Sequence, residues 1–144
     1  MRRAFLTLLL LFGAAFAHSE LESATPGQNA VVTTPPDAVV LTFGEPLELT
    51  FSTFKVYALG ADLDETNAQR LNGLAGTLVS DVLSAQGDEA ARADAGAGLE
   101  GRSAEVRLPL RGDLTPGHYV VMWRGPSADS HTSSGFYLFT YRPE

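Results

Sequence analysis

Three histidines, His18, His118 and His131, are the strongest candidate metal donors in this chain, and there is no cysteine. Thiolate zinc and iron–sulfur sites are therefore excluded. Any metal must be held by His, Asp, Glu, Met, backbone or terminal groups. His131 stands two positions after Asp129. In an extended segment residues i and i+2 point to the same side, so this D-x-H pair can present a carboxylate and an imidazole to one point. Alone, such a pair is common and carries little weight.

The residues before His18 give it significance. The chain begins MRRAFLTLLLLFGAAFAHSE. Arg2 and Arg3 supply positive charge, an apolar run extends from Ala4 to Phe16, and Ala15-Phe16-Ala17 is an A-x-A cleavage site. Those parts make a secretory signal peptide over residues 1–17, and leave a mature domain over 18–144. The apolar run is too short for a membrane span, which needs roughly 20 residues. Arg2-Arg3-Ala4-Phe5-Leu6 resembles a twin-arginine export motif but lacks the polar residues before it, so the general secretory route is expected. Cleavage after Ala17 gives His18 a free α-amine beside its imidazole. The two nitrogens can chelate one ion in a six-membered ring through Nδ1. The amine loses its proton near neutral pH at little cost, with a reference pKa of about 7.7–8.0. Joined to Asp129 and His131, these donors form an N₃O set, which suits tetragonal Cu(II).

Composition narrows the partners. Loss of the leader takes the formal charge from −7 to −9. An acidic domain without a basic cluster is a poor nucleic-acid binder. No later stretch is long and apolar enough to span a bilayer, so no membrane insertion is expected after cleavage. We find no internal repeat.

The elements that must position these residues read mainly as short strands. Expected strands are Glu20–Ala24, Ala38–Phe43, Phe54–Leu59, Ala104–Leu110, Gly117–Arg124 and Gly135–Tyr141, separated by Pro- and Gly-containing turns. This spacing indicates an all-β sandwich or barrel. Within Gly117–Arg124, Tyr119, Val121 and Trp123 share one face, which we expect in the core. Met122 reads as core filling and His118 as a surface or packing residue. Asp64–Gln86 differs. Leu71, Leu74, Leu78 and Val82, widened by Ala75, Val79 and Leu83, recur at a helical period. Asp64 is the expected cap, and Gly73 and Gly76 weaken the helix. Gly87–Gly101 reads as an Ala/Gly-rich, mostly polar loop.

Both ends of the mature chain carry a family resemblance. The start HSELESATPGQNAVVTTPPDAVVLTFGEPLE is similar to that of CopC-type periplasmic copper-resistance proteins: an N-terminal His leading into a strand, a T-P turn and a later F-x-E. The end LTPGHYVVMWRGPSADSHTSSGFYLFTY resembles the family's P-G-x-Y-x-V-x-W-R and S-x-D-x-H pattern. The resemblance covers about half of the mature chain. It implies a cupredoxin-like or immunoglobulin-like antiparallel β-sandwich, closed as a barrel, with one helix inserted within about 61–103. It implies an exported, periplasmic copper(II)-binding carrier or chaperone for copper resistance or delivery, and no enzymatic activity. The implied ligands are His18, Asp129 and His131, with Glu45 a weaker ligand or an acceptor beside them. The implied partners are the copper ion and a copper-transporting membrane protein or a cuproenzyme. Some members hold Cu(I) in a methionine-rich stretch. Here only Met122 survives cleavage, so no soft Cu(I) site is expected. The longer central connection is a second departure.

Two other readings compete. An N-terminal histidine with a second histidine also builds the histidine brace of copper-dependent oxidative enzymes, although Asp129 would fill a position those keep open. A metal-free immunoglobulin-like interaction domain is the third. No nucleophile–base arrangement emerges from Ser127, Ser130, Ser133 and Ser134 near His131.

Overall fold

The computed structural model describes residues 20–144. The leader, its cleavage point and His18 lie outside that range. Eight elements follow in order: β1 (Leu21–Thr25), β2 (Val31–Val32), β3 (Ala38–Glu48), β4 (Thr53–Leu59), α1 (Ala68–Val82), β5 (Arg102–Pro109), β6 (Gly117–Pro126) and β7 (Thr132–Tyr141). Short 3₁₀ turns occupy Leu49–Phe51 and Glu89–Ala91.

The strands form two sheets, ordered β1-β3-β5 and β2-β7-β6-β4. All pairings are antiparallel except β2 with β7, which is parallel. Alternation decides what each sheet buries. Val39, Leu41 and Phe43 of β3, Val106 and Leu108 of β5, and Tyr119, Val121 and Trp123 of β6 meet between the sheets. Phe43 meets Trp123 edge-on at 5.8 Å between ring centroids, and Tyr119 stacks on Phe139 at 5.3 Å. Such geometry adds to the burial of the rings themselves. All six expected strands are present. Two are longer than their hydrophobic pattern: β3 runs on through Gly44-Glu45-Pro46, and β7 begins at Thr132. The two-residue β2 was not anticipated.

The other face of the second sheet is buried too. Tyr57, Leu59, Val120, Met122 and Leu138 pack beneath α1, where Ala75 is fully buried. The inserted helix thus adds a third layer over a sheet face. The helical period is confirmed, with two corrections. Leu74 sits at the margin of the apolar stripe and is 41% exposed. The cap is Asn67, whose Oδ1 accepts from Arg70 N–H at 2.9 Å. Asp64 lies too far upstream, in a turn, and accepts instead from Arg142.

The segment after α1 is more structured than its composition suggests. Ala93 N–H donates to Val56 O at 2.7 Å, and Asp94 Oδ2 accepts from Val56 N–H at 2.9 Å. Asp94 also bridges Leu110. This segment stitches the β4 edge to the chain just beyond β5, closing one side of the barrel. The Lys55 side chain, 2% exposed, reaches from β4 to the end of α1. Its ammonium donates to Val82 O at 2.7 Å, Ala85 O at 2.8 Å and Asp88 Oδ2 at 2.6 Å. All three donors of the ammonium are used, and the positive charge sits at the negative end of the helix. Asp88 also accepts from Tyr57 Oη and from Arg92, whose Nε lies at 3.0 Å.

His118 is a packing residue. It is buried, with Nδ1 2.8 Å from Thr140 Oγ1 and Nε2 3.1 Å from Asp62 O.

Candidate metal centre

Asp129 and His131 stand on the loop that joins β6 to β7. The strands are in register up to Pro126 opposite Thr132. Ser127 N–H then closes the loop onto His131 O at 2.7 Å, and Ser130 N–H bonds Ser127 O at 3.0 Å. Ser130 takes a left-handed φ of 69°. Side-chain donors and acceptors finish the turn. Asp129 Oδ1 accepts from His131 N–H at 3.2 Å and from the Ser127 hydroxyl. An aspartate that accepts from the backbone two residues on forms an Asx turn.

The two candidate ligands therefore do meet, but not as an extended i, i+2 pair. The chain reverses direction between them. Asp129 Oδ2 lies 2.9 Å from His131 Nδ1, with both side chains well exposed. The reason for the correction is local: β6 has ended, and Ser127 and Asp129 offer the backbone turn hydrogen bonds that compete with a strand ladder.

The electrostatics follow from this contact. The Ser127 hydroxyl, and then His131, hold the Asp129 carboxyl well below the usual carboxylate range. The Asp129 carboxylate raises the His131 pKa above its ordinary value, and the charge of Glu45 adds to that rise. Glu45 is half-buried at the irregular stretch of β3, between Thr42 and Leu47, where the register with β5 shifts. That stretch is tied to the loop. Leu47 bridges Ser127, and Ala128 N–H donates to Pro46 O at 3.2 Å.

The chain's beginning lies close by. Glu20 O accepts from Gly44 N–H at 3.0 Å. A depression of about 260 Å³ is lined by Glu20, Leu21, Trp123, His131 and Thr132, among others. Trp123 reaches it because β7 carries Gly135 opposite: a Cβ there would lie 2.6 Å from Trp123 Cζ2. Trp123 Nε1 donates to Ser133 Oγ at 3.3 Å.

Among the described residues no group of three or more His, Asp or Glu side chains is placed to hold a metal. The loop offers one imidazole and one carboxylate, with a second carboxylate in electrostatic range. That is half of a tetragonal N/O set, and an ion held there would need further donors from elsewhere. Ser127, which the sequence offered only as one of four hydroxyls near His131 and as the first position of the S-x-D-x-H pattern, closes the turn. Its spacing from Asp129 was a usable signal, since a hydroxyl two positions before an aspartate suits a side-chain-closed turn.

Comparison with known proteins agrees with this architecture. The model described as "CopC domain" matches residues 21–79 and 74–142, two stretches that overlap within α1. The copper resistance protein C of Escherichia coli is 32% identical over 145 residues, covering 99% of this chain and 98% of that protein. Protein YobA of Escherichia coli K12 is 27% identical over 139 residues, covering 96% and 90%. Among solved structures, CopC from Methylosinus trichosporium OB3b superposes with a TM-score of 0.56 at 23% identity, covering 88% of this chain and 96% of that one. PcoC, a methionine-rich copper resistance protein from Escherichia coli, gives 0.55 at 24% identity, covering 88% and 100%. These two likenesses concern the fold. The family match across both halves, and the full-length relative above 30% identity, settle the wider question: the chain belongs to the CopC family.

Proposed function

We propose that the mature chain is an exported, periplasmic carrier of Cu(II), and that the ion is its cargo rather than a catalytic cofactor. The donors would be the α-amine and imidazole of His18, the Asp129 carboxylate and the His131 imidazole, with Glu45 beside them as a weaker ligand or an acceptor.

The observation that carries this reading is the exposed Asp129–His131 contact at 2.9 Å, on a loop stitched to the Glu45 strand. Two donors placed about 2.0 Å from an ion and at right angles to each other stand about 2.8 Å apart. A small rotation of either side chain would let a metal replace the proton the pair now shares. Glu20 lines the same depression as His131. His18 precedes it by two residues, and two residues reach at most about 7 Å. Hard and borderline N/O donors favour Cu(II) over Cu(I). A carrier needs an ion held where a partner can take it, and an exposed loop at one end of a rigid sandwich supplies that. The partner would be a copper-transporting membrane protein or a cuproenzyme.

The test compares protein starting at His18 with protein bearing one additional N-terminal alanine. In the extended form the His18 nitrogen is an amide, and its chelate is lost. Cu(II) should bind at least about tenfold more weakly, a difference of roughly 1.4 kcal/mol, with an altered electron paramagnetic resonance spectrum. Equal affinity and an unchanged spectrum would remove the amine from the ligand set.

A further inference from the structure

We propose that Ser127 is a positioning residue of this centre: its hydroxyl fixes the Asp129 carboxylate so that Oδ2 is the oxygen presented beside His131. The inference rests on the copper reading above.

Ser127 is 2% exposed, although its neighbours Ala128 to His131 are all exposed. It is also the best-anchored residue of the loop. Its backbone bridges Leu47, a fully buried core residue, and its N–H holds His131 O at 2.7 Å. The hydroxyl has one proton and two acceptors within reach, Asp129 Oδ1 and, at 3.1 Å, His131 O. The carboxylate is closer and charged, and charge-assisted hydrogen bonds are the stronger kind.

The two oxygens of Asp129 are thereby given different tasks. Oδ1 takes the Ser127 hydroxyl and the His131 N–H, which together occupy its two lone-pair directions. Oδ2 faces His131 Nδ1. With Ser127 in place, the carboxylate is not obliged to hunt among rotamers when an ion arrives. Without it, Asp129 keeps only a 3.2 Å backbone contact on Oδ1 and can turn towards water. Residues that hydrogen-bond a ligating carboxylate set its orientation and its affinity in this way.

Ser127→Ala isolates the hydroxyl, because the backbone bond to His131 and the neighbouring bond from Ala128 N–H to Pro46 O, which keeps Ser127 opposite Leu47, survive in alanine. We expect mature Ser127→Ala protein to bind Cu(II) about tenfold more weakly, with a changed parallel hyperfine splitting. The decisive measurement is a cycle with Asp129→Ala. If Ser127 acts through Asp129, removing the hydroxyl in the Asp129→Ala background changes affinity no further. The same loss in both backgrounds would make Ser127 a general structural residue and overturn the proposal. His131→Ala is the companion control. If His131→Ala weakens binding while Ser127→Ala matches the wild type in affinity and spectrum, the positioning role is wrong and the copper reading stands. If His131→Ala leaves Cu(II) binding untouched, the copper reading itself falls.

Discussion

Asp88 accepts from Lys55, Tyr57 and Arg92 beneath the end of α1, whereas Asp129 accepts from Ser127 and His131 on an exposed loop. Both carboxylates are held below their ordinary pKa range, Asp88 chiefly by Arg92 and Asp129 chiefly by Ser127. The settings nevertheless suit them to opposite uses. The Asp88 network spends every donor of the lysine on protein acceptors, and burial with the Asp88 contact pushes Tyr57 up to about 12. The lysine has no donor left for a ligand. At Asp129 the basic partner is a histidine, which changes charge near neutral pH and can exchange its proton for a metal. A depressed carboxylate pKa therefore does not distinguish a structural staple from a site. What distinguishes them is the chemistry of the partner and whether water can reach it.

The largest effect should come from breaking the buried network. Lys55→Ala removes a buried ammonium, bares two helix-end carbonyls and leaves a cavity between β4 and α1. Loss of one partner from a buried pair costs about 3–5 kcal/mol, read as a fall in urea unfolding free energy. Lys55→Met keeps most of the volume and leaves Asp88 still bonded to Arg92 and Tyr57, so it should cost less than alanine. Neither change should alter Cu(II) affinity. A parallel loss of copper binding would mean that the two regions are coupled through the second sheet, and the contrast between them would fail.

A smaller effect should appear with pH. The Asp88 pKa is depressed in the folded chain. Its stabilising contribution is therefore complete above the unfolded carboxylate value, about 3.9, and is lost as pH falls below that towards the folded value. Unfolding midpoints of the wild type and Asp88→Asn should be well separated at pH 6, and the gap should narrow steadily as pH falls below about 4 towards the folded value. A gap that is constant over that range would show that the charge of Asp88 does not contribute.

Both regions differ in how far the sequence disclosed them. Strand identity was legible because β6 alternates without interruption from Tyr119 to Trp123, and the helix because Leu71, Ala75, Leu78 and Val82 keep its period. The ends were not legible: Gly44-Glu45-Pro46 carries no alternation and forms the irregular stretch between the two paired parts of β3, and Thr132-Ser133-Ser134 pairs with β6 without any apolar alternation. Asn67 displaced Asp64 as cap because capping depends on where the backbone turns, not on which acidic residue comes first. The Asp88 network was invisible, since Lys55 and Asp88 lie 33 positions apart and neither carries a local motif. Asp129 and His131 stood out as candidates from their spacing within a chain of three histidines, and their side chains do meet. The turn that joins them, and the part Ser127 plays in it, depends on hydrogen bonds that spacing alone does not specify.

The smallest effect is also the one most able to overturn the contrast. In copper-free mature protein, His131→Ala should leave the thermal unfolding midpoint where it is. The ion pair it removes is exposed on both sides, and exposed pairs contribute little because water and salt screen them. The loop's own closure runs through backbone groups that alanine retains: Ser127 N–H on His131 O, and His131 N–H on Asp129 Oδ1. Ser127 still holds Asp129, so no buried polar atom loses its partner. The measurement is a pair of melting curves at low and high salt, wild type against His131→Ala, with copper removed by a chelator. Coincident curves would mean that this ion pair is maintained for something other than stability, as a site awaiting an ion would be. A clear drop at low salt that salt abolishes would show the pair to be a staple like Lys55–Asp88. His131 would then need no ligand to explain its place, and the metal centre would have to be argued from His18 alone.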